Sequence, residues 1–248
     1  SEPKFCAVSA QNAGDFGAKL SDNFDSECYL MVYFYDKFAG EQSLVLQNDQ
    51  FLHLKARRAR AGERIDVRNL KDGASYLYEI AEISRKGAAL NLVFKSSVFT
   101  PSHDFCVAWA VVESAVIEKS LPALNEMGVG RLVLVYADLS QKNVRLDLQR
   151  MERILINSSQ QCGRNSIMQI EVLSSSDELA QRYENVSLID FGGKNIDIFG
   201  GDEIAFVGPE GGFSPREREK FKNAYALNSP YILRSNTALI ATCAKLMF

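Results

Sequence analysis

The stretch Ile204-Ala-Phe-Val-Gly-Pro-Glu-Gly-Gly-Phe-Ser-Pro-Arg-Glu-Arg-Glu219 constrains the fold more than any other part of the chain. An apolar strand runs into Gly208-Pro209-Glu210-Gly211-Gly212, and a helix follows at once. The helix start is fully written, with Ser214 at the N-cap, Pro215 at the first helical position and Glu217 three residues past the cap as a capping box. Adjacent glycines permit positive φ and let the backbone approach a ligand closely. A strand–loop–helix unit of this kind belongs in an open α/β sheet, where ligands bind outside the carboxyl ends of the strands. The same residues would serve equally as a tight turn with no ligand. No Gly-Lys-Ser/Thr follows the loop, so it is not a nucleotide P-loop, and it does not match Gly-x-Gly-x-x-Gly.

The neighbouring sequence extends that unit. Strand candidates at Phe105–Val112, Arg131–Tyr136, 168–173, 186–191, 203–207 and 230–233 alternate with helix candidates at 115–127, 145–162, 176–183, 215–224 and from 236 onward. Such alternation predicts a parallel sheet covered on both faces. Residues 31–97 read differently. Short β-branched and aromatic runs at 31–35, 43–47, 64–69, 76–84 and 88–94 are separated by Gly and Asp turn signals, with one helix between Gln50 and Ala61. That pattern predicts a small β-barrel, followed by a linker from Ser96 to Asp104. Residues 1–30 show no periodicity and are rich in Ser, Asn, Asp and Gly, which predicts a loosely ordered leader, with Met31 as the functional start. The expected organisation is therefore a leader at 1–30, a β-domain at 31–97 and an α/β domain at 98–248.

Composition removes several function classes. The five cysteines (Cys6, Cys28, Cys106, Cys162, Cys243) form no Cys-x-x-Cys pair, and there are two histidines, His53 and His103, so no structural zinc or multi-histidine metal site is expected. The scattered cysteines suit a reducing cytoplasm, and no run approaches a membrane span of roughly 20 apolar residues. The net charge of −3 does not announce a nucleic-acid partner, yet residues 31–97 carry 11 basic and 8 acidic side chains. Lys55, Arg57, Arg58 and Arg60, with Arg64 nearby, form a basic run suited to positioning RNA through its phosphates. A solvated charged face is the plain alternative. Trp109 and the aromatic strands read as core.

A second segment, Asn228-Ser-Pro-Tyr-Ile-Leu-Arg-Ser-Asn-Thr-Ala-Leu239, sets Arg234 at a strand–helix junction, with Ser235, Asn236 and Thr237 as candidate caps. Gly208-Pro-Glu-Gly-Gly-Phe-Ser followed by Ile232-Leu-Arg-x-x-Thr-Ala238 resembles the small-subunit (16S) ribosomal RNA (uracil-N3)-methyltransferase family of the SPOUT superfamily. Weaker likenesses lie at Asn125–Val129, Gln160–Arg164 and His53–Glu63. The resemblance implies a PUA-like, RNA-binding β-barrel and an α/β methyltransferase domain whose C-terminal segment forms a trefoil knot. It further implies S-adenosylmethionine as methyl donor, S-adenosylhomocysteine as product, no metal, a homodimer built on the C-terminal helix, and small-subunit rRNA or the assembled subunit as substrate.

Carried onto this chain, the resemblance makes Gly208, Pro209, Glu210, Gly211 and Gly212, together with Ser229, Pro230, Tyr231, Ile232 and Leu233, the residues that wrap the cofactor, with Ile189 and Asp190 closing the pocket. N3 of uracil becomes nucleophilic once its proton leaves, so the protein must orient two reactants and stabilise an anion. Arg234 and Arg164 are the candidates for that charge, and Glu210 for shaping the loop or assisting proton removal. The chain departs from the family in having Asn228-Ser229-Pro230-Tyr231 for Leu-Gly-Pro-Arg and Asn236 for Glu. Two alternatives follow from those departures: a non-catalytic RNA- or ribosome-binding protein of the same fold, and a methyltransferase acting on tRNA or another rRNA nucleotide.

Overall fold

A computed structural model describes residues 32–98 and 104–248, so the expected leader, Met31, His103 and the centre of the expected linker lie outside the described residues. The first part of the chain supplies β1 (Phe34–Tyr35), β2 (Ser43–Leu46), α1 (Asn48–Ala56), β3 (Arg64–Arg68), β4 (Ala74–Ile83) and β5 (Ala88–Ser97). These strands form one five-stranded sheet in the order β1-β3-β4-β5-β2. Alternation along β4 turns Ala74, Tyr76, Tyr78 and Ile80 inward, where Leu90 of β5 and Phe51 and Leu54 of α1 meet them. Register shifts at Leu77/Tyr78 and Ile80/Glu82 bend the long β4–β5 ribbon, as bulges do. The sheet curls around its core but leaves β1 and β2 as edges, so the expected barrel is an open half-barrel. The expected linker begins late, because Ser96 and Ser97 pair with Ser75 and Ala74 inside β5.

The second part comprises β6 (Cys106–Ala110), α2 (Ser114–Met127), β7 (Arg131–Val135), α3 (Leu148–Cys162), β8 (Gln169–Leu173), α4 (Ser176–Arg182), β9 (Val186–Asn195), a 3₁₀ turn at Ile196–Ile198, β10 (Ile204–Val207), α5 (Pro215–Lys220), β11 (Ala224–Ala226) and α6 (Ser235–Met247). All six strands are parallel, in the order β11-β9-β10-β6-β7-β8. Successive residues serve opposite faces. Val107, Trp109, Leu132, Leu134, Ala205 and Val207 pack under α2, α3 and α6, while Ala108, Ala110, Val133, Val135 and Phe206 pack under α4 and α5. That double burial explains why these strands read as continuous apolar runs. The chain builds outward from β6 to β8, then crosses to the other side of β6 for β9 and β10. The loop after β10 therefore opens at a topological switch point.

Two expected elements are corrected. The helix expected at 215–224 stops at Lys220, because Phe221 turns into the core against Phe206 and the chain returns to the sheet as β11 beside β9. The strand expected at 230–233 is absent: Ser229 and Tyr231 close a local turn, and Tyr231 and Ile232 are 77% and 85% exposed. The two parts of the chain meet where Val32 and Tyr35 donate backbone N–H groups to the carbonyl and side chain of Gln160, at 2.7 Å each. Among the described residues no helix is long and apolar enough to cross a membrane.

Candidate functional site

The carboxyl end of β10 and the stretch of β9 beside it open into a pocket. One wall is the loop after β10, with Gly208, Pro209, Glu210 and Gly212; the other is the segment from Ala226 to Ser235. Ile189 and Asp190 of β9 form the floor. Of the twelve residues predicted to wrap a cofactor, ten line this space. Gly211 and Pro230 do not, although both sit within the same two loops.

Local chemistry explains the first wall. Gly212 has φ +69° and donates its N–H to the Pro209 carbonyl at 2.9 Å, closing a turn that favours glycine. A Cβ on Gly208 would lie 3.2 Å from the Phe213 ring, which is buried against Phe206. The loop's far end is held by the capping box between Ser214 and Glu217. Glu217 is fully buried and also accepts the Asp138 N–H at 3.0 Å and the Ser176 hydroxyl. Asp138 in turn accepts the Ser214 hydroxyl at 2.5 Å and pairs with Arg216. The Arg216 guanidinium, and then the Ser214 hydroxyl, hold the Asp138 carboxyl below its ordinary pKa.

Two carboxylates border the cavity. Asp190 receives the Arg218 guanidinium at 2.6 Å and the Phe191 N–H at 2.9 Å, and this carboxylate raises the pKa of Arg218. Glu210 is exposed at the loop tip. The remaining lining is mostly apolar: Ile189, Val207, Leu227, Ile232 and Leu233. Such walls accept a flat apolar ring, loop backbone can satisfy its polar edge, and Glu210, unlike Asp190 with its Arg218 partner, offers charge to a cationic group.

The predicted catalytic residues separate. Glu210 lines the pocket, whereas Arg234, the exposed N-cap of α6, falls between the lining residues Leu233 and Ser235 without lining it. Arg164 lies elsewhere. It follows α3, beside the C-terminal end of α2, and so lies at the amino ends of the parallel strands, away from the pocket. It is buried, donates to the Asn125 carbonyl at 2.8 Å and the Ser166 hydroxyl at 3.0 Å, and burial lowers its pKa. Its guanidinium ties α2 to the α3–β8 loop, so the geometry removes it from the pocket of its own chain. Residues that sequence reasoning passed over include Phe191, Leu227 and Ser235. Phe191 adjoins a predicted residue, whereas Ser235 looked like a helix cap.

The basic run gathers at the C-terminal end of α1. Lys55 lies over the Phe51 ring at 4.5 Å and Arg57 over the Phe34 ring at 5.2 Å, while Arg58 and Arg60 are exposed or nearly so. Arg64 starts β3 and pairs with Glu79 at 3.6 Å across the ladder. His53 is an exposed residue of α1, and among the described residues no cluster of His, Cys, Asp and Glu is built to hold a metal.

Comparison with known proteins agrees with this arrangement. A family model for the RNA methyltransferase domain matches residues 100–247, and one for the RNA methyltransferase PUA domain matches residues 46–93. The ribosomal RNA small subunit methyltransferase E of Helicobacter pylori strain J99 is 38% identical over 218 residues, covering 85% of this chain and 96% of that protein. The protein of the same name from Aquifex aeolicus is 27% identical, covering 88% of this chain and 99% of its own length. The structure of the Neisseria gonorrhoeae enzyme bound to S-adenosyl methionine superposes with a TM-score of 0.72 at 21% identity, over 86% of this chain and 96% of that one.

Proposed function

The chain belongs to the ribosomal RNA small subunit methyltransferase E family, and on that premise we propose that it methylates N3 of a uridine in 16S rRNA with S-adenosylmethionine as methyl donor. The observation that carries the reading is the pocket between the loop after β10 and the Ala226–Ser235 segment. Its apolar walls, backbone-lined loop and the Glu210 carboxylate suit an adenosyl group joined to a sulfonium. The Neisseria gonorrhoeae relative binds the same molecule.

When bound, the donor supplies an activated methyl group. The chain's own residues do the rest. Gly208–Gly212 and Ser229–Leu233 hold the donor, with Ile189 and Asp190 beneath it. Glu210, exposed in the pocket lining, shapes the loop tip and is the candidate to take the proton. Arg234 brings positive charge to the rim, where the uracil anion develops, and such charge acts more strongly once water is displaced. The half-barrel, with Lys55, Arg57, Arg58, Arg60 and Arg64, grips rRNA phosphates and leaves base selection to the pocket. The trefoil knot belongs to this reading, as do a homodimer through α6, a cytoplasmic setting, and a domain boundary near residue 98.

Two measurements test the proposal together. Calorimetry with S-adenosylmethionine should give saturable, one-to-one binding per chain. Mass mapping of rRNA from a strain lacking this protein should show one small-subunit uridine without its methyl group, restored by the wild-type gene. A protein that binds no donor, or an unchanged rRNA map, refutes the reading.

A further inference from the structure

The two walls of the pocket are joined by one buried hydroxyl. Trp109 of β6 is fully buried and pairs in register with Val207, the last residue of β10 before the loop. Its indole N–H donates to the Ser235 hydroxyl at 2.7 Å, and that hydroxyl donates onward to the Gly208 carbonyl at 2.5 Å. Gly208 belongs to the first wall and Ser235 closes the second. Ser235 is itself buried, 4% exposed, and the residue before it is Arg234.

Ser235 is the first helical residue of α6, after the N-cap Arg234, and its hydroxyl is spent on a tertiary relay rather than on the helix. The relay satisfies a buried indole N–H and a strand-terminal carbonyl, and truncation would leave both without a partner. The three groups sit on β6, on the loop residue directly after β10 and on the first residue of α6. Their spacing therefore fixes the distance between the walls at that point and the start of α6, where Arg234 precedes Ser235.

We propose that Ser235, oriented by Trp109, is the positioning residue that sets the width of the methyl-donor pocket. The inference rests on the assignment of that pocket to S-adenosylmethionine. Trp109 is the single tryptophan of the chain, so its emission reports on the relay without labelling.

The test titrates the full-length protein with S-adenosylmethionine, reading heat and tryptophan emission in parallel. In the wild type, emission should change along the calorimetric binding curve. Ser235→Ala should bind the donor about tenfold more weakly, as loss of one buried hydrogen-bond relay implies. Ser235→Thr, which keeps the hydroxyl, should restore affinity. Ser120→Ala removes a buried hydroxyl that bonds within α2 alone and should lower stability without moving donor affinity. A wild type that binds no donor overturns the functional reading, and this inference with it. A wild type that binds with unchanged emission, or a Ser235→Ala protein that binds as tightly as wild type, overturns the relay alone. Should Ser235→Ala fail to fold, the wild-type emission curve and the Ser235→Thr affinity still decide.

Discussion

Glu217 shows how much one side chain can carry. Its carboxylate receives the Asp138 N–H and the Ser176 hydroxyl on one oxygen and the Ser214 N–H on the other, so it faces donors only. Glu217→Gln would turn an amide N–H toward one of those donors and leave buried groups unpaired. The expected cost is about 1–3 kcal/mol, read as a lower urea midpoint with an unchanged slope. The Ser214 half of this arrangement was legible in the sequence, as a capping box three residues apart. The bonds to Asp138 and Ser176 were not, since they span 79 and 41 residues and no local pattern encodes them. Arg164 falls outside the pocket of its own chain for a related reason: spacing records an arginine but not the end of the strands at which it sits. A second expectation belongs to the thiols. Burial pushes Cys243 up to about 12 and Cys106 up to about 11, so both remain protonated at pH 8, and Cys243 is buried as well. Iodoacetamide labelling of the native protein, mapped by mass spectrometry, should leave Cys243 unmodified until denaturant is added. Rapid native labelling of Cys243 would contradict the burial of this face of α6 in the core.

Among the elements, the strands of the parallel sheet were the easiest to foresee, because burial on both faces leaves long apolar runs. The region after Lys220 was the hardest. Ala224–Ala226 is too short to declare itself, and pairs with β9 only because Phe221 has already brought the chain back to the sheet. Tyr231, Ile232 and Leu233 looked like a strand from side-chain type alone, yet they form a loop whose apolar residues line a pocket. The half-barrel carries its own prediction, at the turn that leaves α1. Arg58 there has φ +54°, which directs the chain sharply away from the helix and exposes the side chains that follow. Replacing Arg57, Arg58 and Arg60 by Ala should weaken binding to a small-subunit rRNA fragment. It should also flatten the salt dependence of log K by about 0.7–0.9 for each phosphate that is no longer neutralised. Filter binding across a salt series measures both, and an unchanged slope would assign the run to a merely solvated face.

For the molecule as a whole, the last helix has a face that the described residues leave only half covered. α6 reads Ser-Asn-Thr-Ala-Leu-Ile-Ala-Thr-Cys-Ala-Lys-Leu-Met, with Lys245 as its one charged residue. Leu239 and Cys243 are buried in the core under α2, and Ala238, Leu246 and Met247 pack against it. Ile240, Ala241 and Ala244 are only half-buried and take no part in that core. A helix apolar on nearly every side is expected to be covered on more than one face. Exposed apolar side chains stand beside it: Ile198 at 64%, next to the Asp197 that pairs with Lys245, and Phe248, its C-cap, at 89%. A second copy of the chain meets this requirement, because a two-fold axis beside α6 would cover the same surface on both partners at once. Sedimentation should then give a dimer for the wild type. Ile240→Asp would bury an unpaired carboxylate at that contact, at a cost of about 3–5 kcal/mol, and so weaken association by more than about a hundredfold. Circular dichroism should remain that of the wild type, since Ile240 does not support the core of its own chain. A wild type that sediments as a monomer, or an Ile240→Asp protein that dimerises as well as wild type, would move the partner surface away from α6.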